Sequence, residues 1–282
     1  MQKKIIIINN KNRNLFEHLS ELYSSKYLIY ELSKKEFKSA YTQTLLGPIF
    51  FFLLPFIQAL VFSFFTVKFD IDKISGIPTF IFFLIGITLW NFFSLCTIKC
   101  SGVFFNNRKL IDKAYFNRLI FFIVASFVCS IHFLINLISM FLLILFYKYF
   151  YQSELIIINI KLLLIPLVAI LTIILSISIG MIISALSIRH RDLIYGLPFI
   201  FQMLIFLSPV LYPLNNTINI YNSFFFIFNP FSSLVELFRF IFIKDYVLLF
   251  NIIIINFVEI LVLWIVGFQM FKRVEKTVQD LI

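Results

Sequence analysis

Glu236 and Arg239 stand three residues apart in an otherwise apolar segment, a spacing that puts a carboxylate and a guanidinium on one helical face. Their chemistry is that of a latch, because removing one partner of a buried ion pair leaves the other charge uncompensated. The segment that carries them, residues 224–243, is interrupted at Asn229-Pro230, where proline removes a backbone donor and ends a helix. A second set is cationic: Lys34, Lys35 and Lys38 fall on one side of a short amphipathic stretch, suited to attraction by anionic headgroups. A third set mixes signs. Arg108, Lys109, Asp112 and Lys113 flank Leu110 and Ile111 in the longest internal polar stretch, residues 107–118, the composition of a loop that docks on another protein.

The chemistry of bond-making is not written here. None of the seven glycines builds a G-x-x-x-x-G-K-[ST] phosphate cradle, so the chain carries no P-loop and cannot power a process with ATP by itself. No G-x-S-x-G, H-E-x-x-H or paired-carboxylate pattern occurs, and His18, His132 and His190 are scattered over an N-terminal segment, an apolar run and a loop. Cys96, Cys100 and Cys129 lie in or beside apolar runs without metal-ligand spacing, and are expected to be packing residues.

The elements that position these groups are set by composition. Of 282 residues 61% are hydrophobic and 13% charged, with a mean hydropathy of +0.99, far from the usage of soluble domains. The bilayer is the solvent, and helices of about 20 apolar residues satisfy the backbone within it. Six runs qualify: Pro48–Val67, Thr79 past Lys99 toward Phe105, Leu119–Phe146, Leu162–Ile188, Tyr195–Leu211 and Leu248–Phe271. The expected fold is therefore an all-α integral membrane protein of six transmembrane helices. Residues 1–46 form a cytoplasmic N-terminal region, 47–271 the spanning domain and 272–282 a cytoplasmic tail. The opening MQKKIIIINNKNRN has too short an apolar run for a cleaved signal peptide.

Charge orients the bundle. The Lys and Arg residues cluster before Gly47, at Arg108, Lys109, Lys113 and Arg118, at Arg189 and Arg191, and at Lys272, Arg273 and Lys276. Alternate loops hold fewer, which places both termini in the cytoplasm by the positive-inside tendency. A seventh span at residues 224–243 would reverse the basic C-terminus, so that segment reads as an outer re-entrant helical hairpin between spans five and six. The same distribution makes the net charge of +10 a topology signal rather than a nucleic-acid footprint, and nucleic acid is rejected as a partner.

Ahead of the first span, Ile29, Tyr30, Phe37, Ala40 and Tyr41 fall on one side of a helix, opposite Glu31, Lys34, Lys35 and Lys38. This is an amphipathic interfacial helix. Within the runs, Lys99 is expected to snorkel to the cytoplasmic interface, His132 to contact a neighbouring helix, and Glu259 to find a partner.

An ordered set of motifs resembles the polysaccharide and polyol-phosphate export permeases of the type-2 ABC transporter family. It comprises Tyr41 to Pro48 (YTQTLLGP), Gly86 to Phe93 (GITLWNFF), Leu110 to Leu119 (LIDKAYFNRL), Arg191-Asp192 with Pro198 and Gln202, Ser208 to Pro213 (SPVLYP), and Asn229-Pro230 with Glu236 and Arg239. Two positions depart from the family pattern: Phe50 stands for a common Trp and Asn117 for a common Pro. The resemblance implies the membrane-spanning permease subunit of an ATP-driven exporter, not an enzyme, in a bacterial inner or plasma membrane. It implies a homodimer with two ATP-binding subunits that hold ATP and Mg, no cofactor in this chain, and a polyprenyl-diphosphate-linked glycan (O-antigen, capsule or teichoic acid) as substrate. Lys34, Lys35, Lys38, Tyr41, Leu46, Gly47, Trp90 and Tyr115 are then substrate-admission or channel candidates. Arg108, Lys109, Asp112 and Lys113 would couple to the ATPase, and Asn229, Pro230, Glu236 and Arg239 would form an outer gate. A permease for a small hydrophobic substrate or drug shares the six-span plan, and a membrane-embedded glycan-processing enzyme is the reading from another class.

Overall fold

A computed structural model describes residues 22, 24–41, 48–68, 73–74, 77–111, 117–151, 160–213, 227–244 and 246–281. The described chain is helical apart from one two-residue antiparallel pair, β1 (Lys73–Ile74) with β2 (Ile77–Pro78). Helix α1 spans Lys26–Tyr41 and α2 Pro48–Lys68; the β pair leads into α3, Thr79–Ser101. Two single-turn helices follow, α4 (Val103–Asn106) and α5 (Arg108–Ile111). Then come α6 (Leu119–Tyr151), a 3-10 turn at Ile160–Leu164 running into α7 (Ile165–Ser187), α8 (Asp192–Leu207), α9 (Pro230–Phe242) and α10 (Phe250–Leu281).

Each of the six apolar runs forms a helix, but they are not alike. Among the described residues, four are long and apolar enough to cross a membrane: α3, α6, α7 with its preceding turn, and α10. Helix α8 has 16 residues, about 24 Å against a hydrocarbon core of about 30 Å. The sequence suggested that it continue to Leu211. It stops at Leu207 because proline disfavours the α conformation in the residue before it, and Ser208, preceding Pro209, is extended at φ −99°, ψ 148°. At the other end of the chain, α10 runs unbroken from Phe250 to Leu281, so the basic tail continues the last apolar helix as one rod.

Helix α3 is the hub. It is apolar on every face, the pattern of a helix enclosed by others, and it packs against α2, α6, α7, α8 and α9. Helix α7 is seated between α3 and α10. Close approach there depends on small residues: a Cβ at Gly180 would overlap Cys100 of α3, and one at Gly267 would lie 2.7 Å from the Ser178 carbonyl. Such contacts let dispersion, rather than a hydrophobic force, hold helices together in lipid. The three cysteines are free and buried, as packing residues should be.

Helix α1 lies against α6. Its packed side carries Leu28, Ile29, Leu32, Ser33 and Phe37, and Phe37 stacks on the buried His132 at 6.0 Å between ring centres. Tyr30, expected on that face, is instead 57% exposed, with Lys34 5.9 Å from its ring. The packed stripe is rotated toward Leu32 and Glu36, because contact with α6 selects the aliphatic side chains and leaves the amphipathic phenol outside.

Candidate functional site

The most tightly built polar cluster surrounds Arg239. Helix α9 begins at Pro230, with Asn229 as its cap: the Asn229 side chain accepts from the Phe231 N–H at 3.2 Å and donates to Ser208 Oγ at 2.9 Å. Asn256 of α10 donates to the Asn229 carbonyl and to Ser232 Oγ, both at 3.0 Å. The start of α9 is thereby tied both to the turn after α8 and to α10.

Three residues past the first turns, Glu236 and Arg239 are buried and paired at 3.2 Å. Arg239 does more than neutralise Glu236. Its Nη1 donates to the Pro209 carbonyl at 2.6 Å and to that of Tyr212 at 3.3 Å, while Nη2 donates to the Val210 carbonyl at 2.6 Å. These carbonyls are available because the Ser208-Pro209 stop breaks the helical ladder, and a buried carbonyl without a partner is costly. The guanidinium face lies 3.8 Å from the centre of the Phe82 ring, a cation–π contact. Glu236 keeps its second oxygen satisfied by Tyr246 Oη at 2.8 Å. Burial, opposed by Arg239, holds the Tyr246 phenol well above its ordinary value, so it remains a donor. Gly86 makes the space: a Cβ there would meet the Val210 carbonyl at 2.9 Å and Arg239 Nη2 at 3.2 Å.

Next to this cluster lies a cavity of about 660 Å³ between α3, α7, α8 and the start of α9, walled by Trp90, Phe93, Phe201, Phe228 and Phe231 together with more numerous leucine and isoleucine side chains of α7 and α8, with Ser208 and Asn229 among its few polar groups. Trp90 is only 4% exposed and meets Phe231 at 5.2 Å and Phe201 at 6.0 Å, edge-on or tilted. It is a wall residue of this chamber.

At the opposite end, Arg108 and Lys109 of α5 are exposed, beside Leu110, which is 36% exposed. Arg118, counted with this polar stretch from the sequence, is not on its surface: it is buried and its Nη1 donates to the Glu275 carbonyl of α10. Asn117, where the resembling proteins carry proline, accepts from the Leu119 N–H at 3.1 Å and so caps α6. Lys34 and Lys38 are exposed on α1, and Lys35 borders a second cavity that also holds Lys99. Lys99 does not simply snorkel; it pairs with Glu36 at 3.1 Å. Glu259 was expected to find a partner, yet its Oε2 accepts no hydrogen bond among the described residues. Leu46, Gly47, Asp112, Lys113 and Tyr115 lie outside the described residues, as does the Tyr41 side chain.

Sequence reasoning missed Glu36, Asn256, Tyr246 and the Asn91–Gln58 hydrogen bond of 2.8 Å that joins α3 to α2. Two signals were present. Asn91 and Asn256 are amides inside apolar helices, where a polar side chain needs a neighbour. Glu36 carried none, being one acidic residue on an ordinary amphipathic helix.

A sequence model described as ABC-2 type transporter matches residues 27–243. The chain is also 26% identical over 198 residues to the O-antigen export system permease protein RfbA of Myxococcus xanthus, an alignment covering 69% of this chain and 72% of that relative.

Proposed function

We propose, from the premise that this chain belongs to the ABC-2 type transporter family, that it is the permease for a lipid-linked polysaccharide. It is a multi-pass transport subunit, not an enzyme, and such permeases work with ATP-binding subunits. In this proposal it works as a homodimer in a bacterial inner or plasma membrane, with six spans, both termini cytoplasmic, and two ATPase partners that hold ATP and Mg.

The observation that carries the substrate reading is the aromatic chamber around Trp90. Aromatic faces accept sugar C–H surfaces without directional bonds, so a polymer can slide past without binding tightly. The O-antigen export relative supports the same reading. In this scheme the Glu236–Arg239 cluster is the outer gate, and α1 with Lys34, Lys35, Lys38, Tyr41 and the Leu46-Gly47 turn admits the lipid headgroup. Residues 108–113 receive the ATPase. ATP closure of the partner biases two arrangements of the permease through that contact.

A second reading, export of a small hydrophobic substrate, is favoured by one feature: the chamber walls are almost wholly apolar. Depletion separates the two. Loss of a polysaccharide exporter leaves finished lipid-linked glycan inside the cell, and co-reconstitution with the ATPase restores ATP-dependent movement that neither subunit supports alone. Normal glycan export in depleted cells overturns the reading, and shortened glycan without internal build-up points to biosynthesis.

A further inference from the structure

A second cavity, of about 370 Å³, lies between α1, the end of α3, the short helices α4 and α5, and the first turns of α6. Unlike the aromatic chamber, half of its lining is polar, from Lys35, Glu36, Ser39, Lys99, Asn106 and Asn107, facing an apolar half from Leu32, Val103 and the start of α6. Two ammonium groups and one carboxylate leave the cavity cationic, and its size is at the lower end of ligand sites. Asn106 is set over Gly102, where a Cβ would lie 2.8 Å from its amide nitrogen.

Inside this cavity Lys99 Nζ and Glu36 Oε1 are 3.1 Å apart, with side chains 25% and 40% exposed. A half-exposed Lys–Glu pair is weakly held. The diphosphate of a lipid-linked glycan carries a negative charge on each of its two adjacent phosphates, against the single charge of a carboxylate, and offers several non-bridging oxygens to an ammonium donor. It can therefore take Lys99 from Glu36, with Lys35 on the same cavity wall adding to the attraction.

We propose that this cavity is a phosphate-recognition site in which Lys99 exchanges Glu36 for a phosphate of the substrate headgroup. The inference rests on the lipid-linked reading above and adds a regulatory consequence. Glu36 is the ionic tie from α1 to α3, whereas the Phe37–His132 stack ties α1 to α6. Occupancy cuts the first tie and leaves the second, so α1 swings on α6 and reports a loaded site to α4 and α5, which form the same cavity.

The test uses the permease–ATPase complex in phosphatidylcholine nanodiscs and a radiolabelled short-chain polyprenyl diphosphate. Lys99→Gln is expected to weaken binding about tenfold, the loss of one charge-assisted contact. Glu36→Gln is expected to tighten it severalfold, because the competing carboxylate is gone while Lys99 remains. Equal weakening by both substitutions, or no change in either, overturns the proposal and leaves the pair a strut. Where Lys99→Gln fails to assemble, Glu36→Gln decides alone, since losing a strut does not tighten a ligand. Inorganic pyrophosphate competing as strongly as the lipid assigns recognition to the phosphates themselves; failure to compete, with the same pattern among variants, assigns it to the lipid-borne headgroup. Both uphold the site. The binding pattern without any glycan export upholds the site and sinks the exporter reading instead.

Discussion

Arg239 Nη2 and the Val210 carbonyl are 2.6 Å apart, and Gly86 of α3 leaves just enough room for both. A cation, an interrupted helix end and a glycine on a third helix thus form one device. None of the three is satisfied without the others.

Gly86→Ala should therefore be disruptive. Its methyl group would press on the Val210 carbonyl and the guanidinium together, and overpacking of this kind costs about 1–3 kcal/mol. Gly196→Ala is the control, since a Cβ at Gly196 meets nothing within 4 Å. Thermal unfolding of the purified protein should show a lower midpoint for the first and little change for the second; equal midpoints would refute the packing account.

Removing Arg239 should cost more than removing Glu236. Arg239→Met frees Glu236 and three carbonyls at once, whereas Glu236→Gln keeps an amide oxygen that accepts from Arg239 and turns an amide N–H donor toward the Tyr246 oxygen. Breaking a buried pair from one side costs about 3–5 kcal/mol, and the double substitution should be milder than the sum of the singles. Arg239→Lys should not rescue, because one ammonium cannot span the same fan of acceptors. Strict additivity in a double-mutant cycle on stability or leak would dismiss the coupling.

The α3–α7 contact offers a repacking test. Gly180→Ala places a methyl on Cys100, and should lower stability by about 1–3 kcal/mol. Cys100→Ala in the same chain keeps the offending Cβ and should not restore it, whereas Cys100→Gly should restore part. If Cys100→Ala relieves the defect fully, the clash is with sulfur rather than with the backbone approach.

Surface and clamp roles in residues 107–118 should separate. Charge reversal at Arg108 and Lys109, both exposed, or Asp112→Lys, should abolish co-purification of the ATPase while leaving the fold intact. Arg118→Ala should instead lower thermal stability, because it releases the Glu275 carbonyl on α10. Wild-type ATPase association in the reversal variants would make the stretch a mere connector.

Topology is open to labelling. Single cysteines at Ser75, Asn219 and Gln279, in a chain cleared of Cys96, Cys100 and Cys129, are expected to react from outside, outside and inside respectively. Reaction of residue 279 from outside overturns the six-span orientation.

Sequence alone determined the helices, because lipid leaves an apolar run one way to satisfy its backbone, and runs of this length report it directly. It also determined the helix start at Asn229-Pro230 and the Glu236–Arg239 spacing, both local properties of the chain, while residues 214–226, where the first arm of the expected hairpin falls, lie outside the described residues. The early end of α8 is equally local, but the apolar run reads through Pro209 to Leu211 and the structure corrects it. Tertiary structure decided the rest. Which carbonyls Arg239 reaches depends on a turn 27 to 30 residues away, and Glu36 meets Lys99 across 63 residues. In a chain where nearly every helix face is apolar, hydrophobicity does not say which face meets protein and which meets lipid. Tyr30 turned outward and Trp90 inward for that reason: close packing by small residues such as Gly86 and Gly180 sets the approach of the helices, and the approach selects the partners.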